Sequence, residues 1–386
     1  MSPTVSETQR ILEGLVSLMS PRLEQVDLED YYKVIDELGT GTFGSVLMAK
    51  DKATDKTMAL KFVKKSRASL QSFLTEHYTS FFLSSHQSII GSYGVAFQTM
   101  DHYVFSQEWS PFGDLFGMIE DRVGIPEVKA KRCAVQIASA LDFMGSKGLV
   151  HRDIKPENIL LFDEECHCVK VSDFGLTCLK GTLIQARSGT ASYMSPELCR
   201  PSEGDTLHAD SSLDAWAFGV LLFCALSGYF PWEEAVPENE DYKAFVYWAN
   251  TGPVELPSLW TGFATGALDL LKRLFAFNPV DRVHFSDVLP YVNLPWKSDA
   301  HATRGREGDQ ETDLELSYEC VGNDSMTSFN DCTQNDDSHS GHIRQASSGF
   351  SSLLFHGDDE QSTRSARSVV SFSAMHWSSD PEICYT

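Results

Sequence analysis

The side chains best equipped for chemistry are gathered between positions 151 and 175, where HRDIKPEN is followed by DFG. This stretch supplies a carboxylate (Asp153), a lysine (Lys155), an asparagine (Asn158) and a second carboxylate (Asp173). Asp153 can take or orient the proton of a hydroxyl, and Lys155 offers a point charge to a phosphoryl group. The amide of Asn158 and the carboxylate of Asp173 are hard oxygen ligands that suit Mg²⁺. Together they form equipment for moving a phosphoryl group from ATP to a hydroxyl.

Phosphates also need a cradle. GTGTFGSV fits G-x-G-x-x-G-x-V and comprises Gly39, Thr40, Gly41, Thr42, Phe43, Gly44, Ser45 and Val46. Three glycines in a tight hairpin often mean only a turn. Here they bridge two strand-like runs, and the missing side chains let backbone N–H groups approach the phosphates of ATP. The pattern does not precede a helix, which argues against a dinucleotide-binding fold. Lys61 lies in MALK on the next strand, flanked by Ala59, Leu60 and Phe62, where its charge can pair with phosphates. Glu76, in the helical stretch LQSFLTEHYTSFF, is the counter-ion assigned to it. Without Lys61, Glu76 would read as an ordinary helix-surface acid.

The elements that must position these groups are strand-rich first and helix-rich afterwards. YYKVIDELG, FGSVLMAKD and MALKFVKK alternate as strands, and DKATDKT reads as a turn. KAKRCAVQIASALDFM sets Cys133, Ile137, Leu141 and Met144 at helical spacing, LVHRD and ILLF are short strands, and TGALDLLKRLFAF is an amphipathic helix. Strands before helices predict an α+β arrangement of two lobes. Residues 1–30 form an N-terminal extension in which Ile11, Leu15 and Leu18 have the spacing of a short amphipathic helix able to pack on the main domain. Residues 31–296 have a globular texture. In residues 297–386 acidic residues far outnumber basic ones and serines abound. Such a tail cannot offset its ordering cost and is expected to be disordered, although SSGFSSLLF and RSVVSFSAMHW carry apolar clusters.

Over roughly residues 31–293 the chain resembles the eukaryotic protein kinase family. The matching positions run in order through Gly39, Gly41, Gly44, Lys61, Glu76, His151, Arg152, Asp153, Asn158, Asp173, Phe174, Gly175, Pro196, Glu197, Asp214 and Arg282. The resemblance implies a two-lobed protein kinase fold, a small β-rich N-lobe over a larger helical C-lobe, with ATP between them. It implies that Asp153 is the base or substrate-orienting residue, that Asn158 and Asp173 hold Mg²⁺, and that Lys61 contacts the α- and β-phosphates. By the same likeness Lys155 steadies the transferring phosphate, Glu197 and Arg282 form a buried structural ion pair, and Asp214 braces the catalytic loop. Adenine is expected between Val46 and Ala59 above and Leu160 below. The Glu108 carbonyl and the Ser110 N–H would be its backbone partners, with Asp114 near the ribose or a basic substrate residue. Gln107 falls at the gatekeeper position, where a polar residue is less usual.

Lysine two residues after Asp153, together with Thr190 in SGTASYMSPE, resembles serine/threonine kinases. ALKFVKKS, GDLF, LDFM, LLFDEEC, DAWAFGVLLFC and FPWE resemble more closely the SH3-binding-domain kinase family. The tail has no PxxP, so SH3 binding is not supported. Ala186 stands at the activation-segment position most often phosphorylated in relatives, leaving Thr182 and Ser188 as substitutes or no phosphate at all. Asp114 and Glu157 would give an acidic substrate rim, with Ser347 in RQAS as a candidate self-site. The alternative class is a weak or inactive kinase-fold scaffold that signals through its tail.

Composition narrows the partners. A formal net charge of -23 repels nucleic acid and anionic membranes, so a protein substrate carrying Ser or Thr, with basic flanks, fits better. Nine irregularly spaced cysteines read as reduced thiols of a cytoplasmic protein. The polar start MSPTVSETQR lacks a signal-peptide core, and Ser2 removes the glycine needed for myristoylation. The apolar run at residues 215–230 is too short to span a bilayer and reads as a helix buried all round. Cys166, His167 and Cys168 look like half a metal site but read as turn residues.

Overall fold

The computed structural model describes residues 5–20, 23–186, 189–199, 205–252 and 255–298. The tail, its apolar clusters, Ser347 and Ser188 lie outside the described residues. Two helices open the chain, α1 (Val5–Met19) and the single turn α2 (Leu28–Tyr31). Five strands follow, β1 (Tyr32–Thr40), β2 (Gly44–Asp51), β3 (Thr57–Lys64), β4 (Ser92–Gln98) and β5 (His102–Gln107), with α3 (Leu70–Leu83) between β3 and β4. They form one antiparallel sheet in the order β1-β2-β3-β5-β4.

Strand period fixes which side chains reach the cleft. Val46 and Phe105 lie directly across from Lys61, and Gln107 lies across from Ala59, so these residues share a face. Leu60, Phe62 and Val104 occupy the other face and join Tyr32, Ala49, Met58 and Phe97 in a small outer core. Ser69 caps α3 by accepting the N–H of Ser72, and α3 lays Phe73 and Leu74 against the inner face.

The helical lobe begins with the turn α4 (Leu115–Met118) and the long α5 (Glu127–Ser146). Cys133, Ile137, Leu141 and Met144 are all buried along α5, as their spacing predicts. Short hairpin strands carry the loops that bear the chemistry: β6 (Leu149–Val150), β7 (Ile159–Leu161), β8 (Val169–Val171), β9 (Cys178–Leu179), β10 (Leu183–Gln185) and β11 (Thr206–His208), with α6 (Pro196–Cys199) before β11. LVHRD is therefore strand only at its first two residues. β6 pairs with β9, β7 with β8 and β10 with β11.

The apolar run at 215–230 is the body of α7 (Ser211–Ser227), buried on every side and ended by Gly228 in the left-handed conformation. No helix among the described residues is long and apolar enough to cross a membrane. α8 (Glu240–Thr251) and α9 (Thr265–Leu274) complete the lobe. Trp216, Trp232, Tyr242, Phe245, Trp260 and Phe275 form an aromatic cluster with neighbouring centroids as close as 4.9 Å.

Packing reaches both boundaries read from composition. At the C-terminal side Trp296 is fully buried, and the backbone N–H groups of Trp296 and Lys297 donate to Glu127. At the N-terminal side α1 exists and packs along α3, but on a different face from the one its sequence suggests. Leu12 is buried and Leu15 half-buried, whereas Ile11 and Leu18 face outward. Two stripes share the same helical period, and the surface of α3 decides between them.

Candidate active site

Lys61 bridges two carboxylates that lie far apart in the chain. Its Nζ donates to Glu76 at 2.6 Å and to Asp173 at 2.9 Å. Burial alone would lower the ammonium, but Asp173 and Glu76 outweigh it and hold Lys61 above its ordinary value. Burial also works against ionised Asp173, yet Lys61 and the Gly175 N–H overcome it and pull its carboxyl down to about 2. Glu76 shifts upward, because desolvation exceeds the help it receives from Lys61. The trio holds one cation between two acids, which leaves a surplus of negative charge.

Asp173 adopts a left-handed backbone (φ 62°), as does Arg152 (φ 70°), a conformation uncommon outside glycine and frequent at functional sites. Phe174, buried beside it, meets the His151 ring edge-on at 5.4 Å. This anchors residues 173–175 so that the Asp173 side chain turns to Lys61.

The catalytic loop is fastened from below. Asp214, fully enclosed on α7, accepts the backbone N–H groups of His151 and Arg152, both at 2.7 Å. His151 Nδ1 accepts the N–H of Asp153, so its other nitrogen carries the proton and donates to the Ser172 carbonyl. His151 is thereby a scaffold residue. Asp153 accepts Lys155 Nζ at 2.8 Å and the Asn158 amide at 2.9 Å. Asn158 Nδ2 also donates to the Asp153 carbonyl, and no protein donor engages its amide oxygen among the described hydrogen bonds.

That free oxygen and the Asp173 carboxylate are the donor set that remains for a cation. No three His, Cys, Asp or Glu side chains among the described residues converge on a metal position. Mg²⁺ is commonly held by one or two protein oxygens completed by substrate phosphates, and this pair fits that pattern.

The glycine loop divides by physical role. A Cβ on Gly39 or Gly41 would meet nothing within 4 Å, so these positions open onto free space. A Cβ on Gly44 would lie 1.7 Å from the Phe62 carbonyl, so Gly44 is glycine because β2 and β3 approach closely there. Thr40 pairs with Ser45 across the hairpin, Gly41 donates to the Gly44 carbonyl, and Phe43 lies exposed at the tip. Thr42 lies in the turn itself.

The linker presents backbone to the cleft because its side chains are engaged elsewhere. Glu108 accepts Gly91 N–H at 2.9 Å and Lys170 Nζ at 2.6 Å. Ser110 Oγ lies 2.8 Å from the Gly113 carbonyl and 2.5 Å from that of Leu161. Ala59 is buried at the roof, and Leu160 on β7 is half-buried. Asp114 caps α4 through the Gly117 N–H, and burial raises its carboxyl. One residue escaped the sequence reading: Leu38, just before Gly39, is a large exposed aliphatic at the start of the loop. Its place before the first glycine of a strand-borne loop was the available signal.

Other assignments also find their places. Arg282 makes paired contacts to Glu197 at 2.5 and 2.7 Å. Thr190, Arg152 and Asp153 line one small cavity with Tyr193 and Met194. Cys166 and His167 lie in the β7–β8 turn, where Asp163 accepts the N–H groups of Glu165, His167 and Cys168.

A protein kinase domain model matches residues 32–293. Serine/threonine-protein kinase SBK1 of Danio rerio is 46% identical over 298 residues, covering 77% of each chain. SBK1 of Mus musculus is 42% identical over 305 residues, covering 78% of this chain and 73% of the relative. Serine/threonine-protein kinase SBK2 of Homo sapiens is 37% identical over 308 residues, covering 79% and 86%.

Proposed function

The chain belongs to the protein kinase family, in its SH3-binding-domain group, and is a serine/threonine-protein kinase; from that premise we propose how its cleft works. ATP and Mg²⁺ supply the transferable γ-phosphate and the cation that neutralises its charge. Lys61, held by Glu76, contacts the α- and β-phosphates, while Asp173 and Asn158 hold the metal. Gly39 and Gly41, with Thr40 and Thr42, cover the phosphates, and Gly44, Phe43 and Ser45 keep the hairpin closed above them. Adenine lies between Leu38, Val46 and Ala59 above and Leu160 below, against the Glu108 carbonyl and the Ser110 N–H. Asp153 orients the substrate hydroxyl and accepts its proton, and Lys155 steadies the phosphoryl group in flight.

The observation that carries this reading is Lys61 held between Glu76 and Asp173, with Asp153 and Asn158 hydrogen-bonded to each other on the catalytic loop. Most of the acceleration then comes from positioning and electrostatics, since a general base alone supplies about 10²–10⁴-fold.

Asp114 and Glu157 act electrostatically on each other at the mouth of the cleft, which favours substrates with basic flanks. The tail's lack of PxxP leaves SH3 domains out of the reading. A cytoplasmic location rests on the cysteines only in part: five of the six described are free thiols, whereas Cys168 is disulfide-bonded, against the reading of all nine as reduced. The activation segment needs no phosphate at the usual position: β10 is zipped to β11, Ala186 N–H donates to the Asp205 carbonyl, and Lys180 pairs with Asp210 at 2.7 Å. The deciding assay is phosphate transfer by purified full-length protein, with ATP, Mg²⁺ and a mixed basic peptide library. Serine or threonine phosphorylation that disappears in Asp153→Asn is expected. Nucleotide binding without transfer by the unsubstituted protein would turn the reading toward a scaffold.

A further inference from the structure

Glu76 is only as well placed as the helix that carries it, and α3 seats two unsatisfied polar side chains against its sheet. Both ring nitrogens of His77 and the hydroxyl of Ser80 are buried without a hydrogen-bond partner. Buried polar groups without partners weaken the seat of the helix that bears them. A second support comes from outside the sheet. α1 packs along α3, with Leu12 buried in the same core as Phe73, Leu74 and Tyr78, and with Leu15 and Val16 against it.

The segment carrying α1 is tied at both ends. Val5 sits on Gly148 at the end of α5, where a Cβ on that glycine would come within 2.5 Å of it. Beyond α1 the chain zips to the end of β4. Gln98 N–H donates to the Glu24 carbonyl at 2.8 Å, Val26 N–H donates to the Gln98 carbonyl at 2.9 Å, and the Gln98 side chain reaches the Leu23 carbonyl. Val26 and Leu28 then pack onto the outer core of the sheet. The strap formed by residues 5–20 and 23–28 therefore touches the helical lobe, α3, the edge of the sheet and its far face.

We propose that this strap is a positioning element for the reaction, and that Leu12 is its positioning residue, holding α3 where Glu76 meets Lys61. The inference rests on the reading of Lys61 and Glu76 as the phosphate-positioning pair. The N-terminal segment is accordingly part of the catalytic apparatus, acting through α3.

Four variants of the full-length chain, Leu12→Asp, Leu12→Met, Ile11→Asp and Glu76→Gln, test this by kcat and KM toward a peptide substrate with a free serine or threonine hydroxyl. Leu12→Asp is expected to lower kcat at least tenfold with peptide KM within twofold, and Leu12→Met to restore it. Ile11→Asp, on the outward face, should match the unsubstituted protein. A synthetic peptide of residues 5–20, added in excess to Leu12→Asp, should recover at least half of the lost turnover. A Leu12→Asp enzyme with unchanged kcat, or one the peptide cannot rescue, overturns the proposal. Full activity in Glu76→Gln would instead overturn the underlying reading of the ion pair.

Discussion

Two ion pairs organise this protein, and they are built to opposite specifications. Arg282 is a closed site: its side chain is 0% exposed, both ends of the guanidinium meet Glu197, further N–H groups reach the Ala276 and Ser212 carbonyls, and the plane lies 4.9 Å from the Trp216 ring. Nothing is left for a ligand. Lys61 is an open site: one ammonium faces two carboxylates, beside an asparagine oxygen without a protein donor and glycines with empty space above them. Saturated charge holds the fold, while unbalanced charge marks the cleft that the proposed function assigns to phosphate and metal.

The contrast breaks most sharply at Asp173. Asp173→Asn should cut kcat by roughly 10³-fold, equivalent to about 4 kcal/mol of barrier, with the urea midpoint barely moved. Paired rate and unfolding measurements check this, and a loss of stability to match the loss of rate would erase the distinction. Glu197→Gln should do the reverse. Leaving the enclosed guanidinium half-paired costs about 3–4 kcal/mol of unfolding free energy, and a Glu197→Leu/Arg282→Met double variant should recover most of it.

His77 extends the contrast to a buried group with no partner at all. Burial among Phe73, Tyr78 and Phe105 lowers its pKa to about 4, below the ordinary value near 6.5. The folded state therefore binds fewer protons than the unfolded chain across this window. Stability is full above pH 6.5 and falls as acid is added, by up to about 3 kcal/mol near pH 4. His77→Leu should flatten that part of the pH–stability curve measured by thermal unfolding. Smallest is the effect of dephosphorylation. Phosphatase treatment of purified enzyme should leave kcat within twofold, because β10 and β11 already hold the activation segment. Loss of activity would show that a phosphate on the segment is required.

Much of the open site could be read from the chain because its chemistry is local. Asp153, Lys155 and Asn158 fall within one turn of loop, and strand alternation alone puts Lys61 on the face of Ala59. The pairing of Lys61 with Glu76 followed from charge, but its geometry depends on α3. What stayed hidden was decided by packing between distant elements. The inward face of α1 could not be chosen from Ile11, Leu15 and Leu18, because Leu12 and Leu15 satisfy the same period. Gly44 looked like its two companions, and only the approach of Phe62 separates it from them. The change of texture at residue 30 could not show that Leu12 joins the main core and that Val26 and Leu28 pack on the outer core.

The aromatic cluster of the helical lobe also has an optical consequence. Between residues 5 and 107 there is no tryptophan, so the small lobe is dark in tryptophan emission. Of seven tryptophans, Trp216, Trp232, Trp248, Trp260 and Trp296 are buried in the helical lobe, Trp109 sits half-buried in the linker between Glu108 and Ser110, and Trp377 lies outside the described residues. In a Trp377→Phe background, an aqueous quencher such as iodide should dim Trp109 before the buried five. Nucleotide arriving at the linker should perturb the same red-shifted component. The protein thus carries its own dye at the mouth of the cleft, with a protected internal reference in the lobe below.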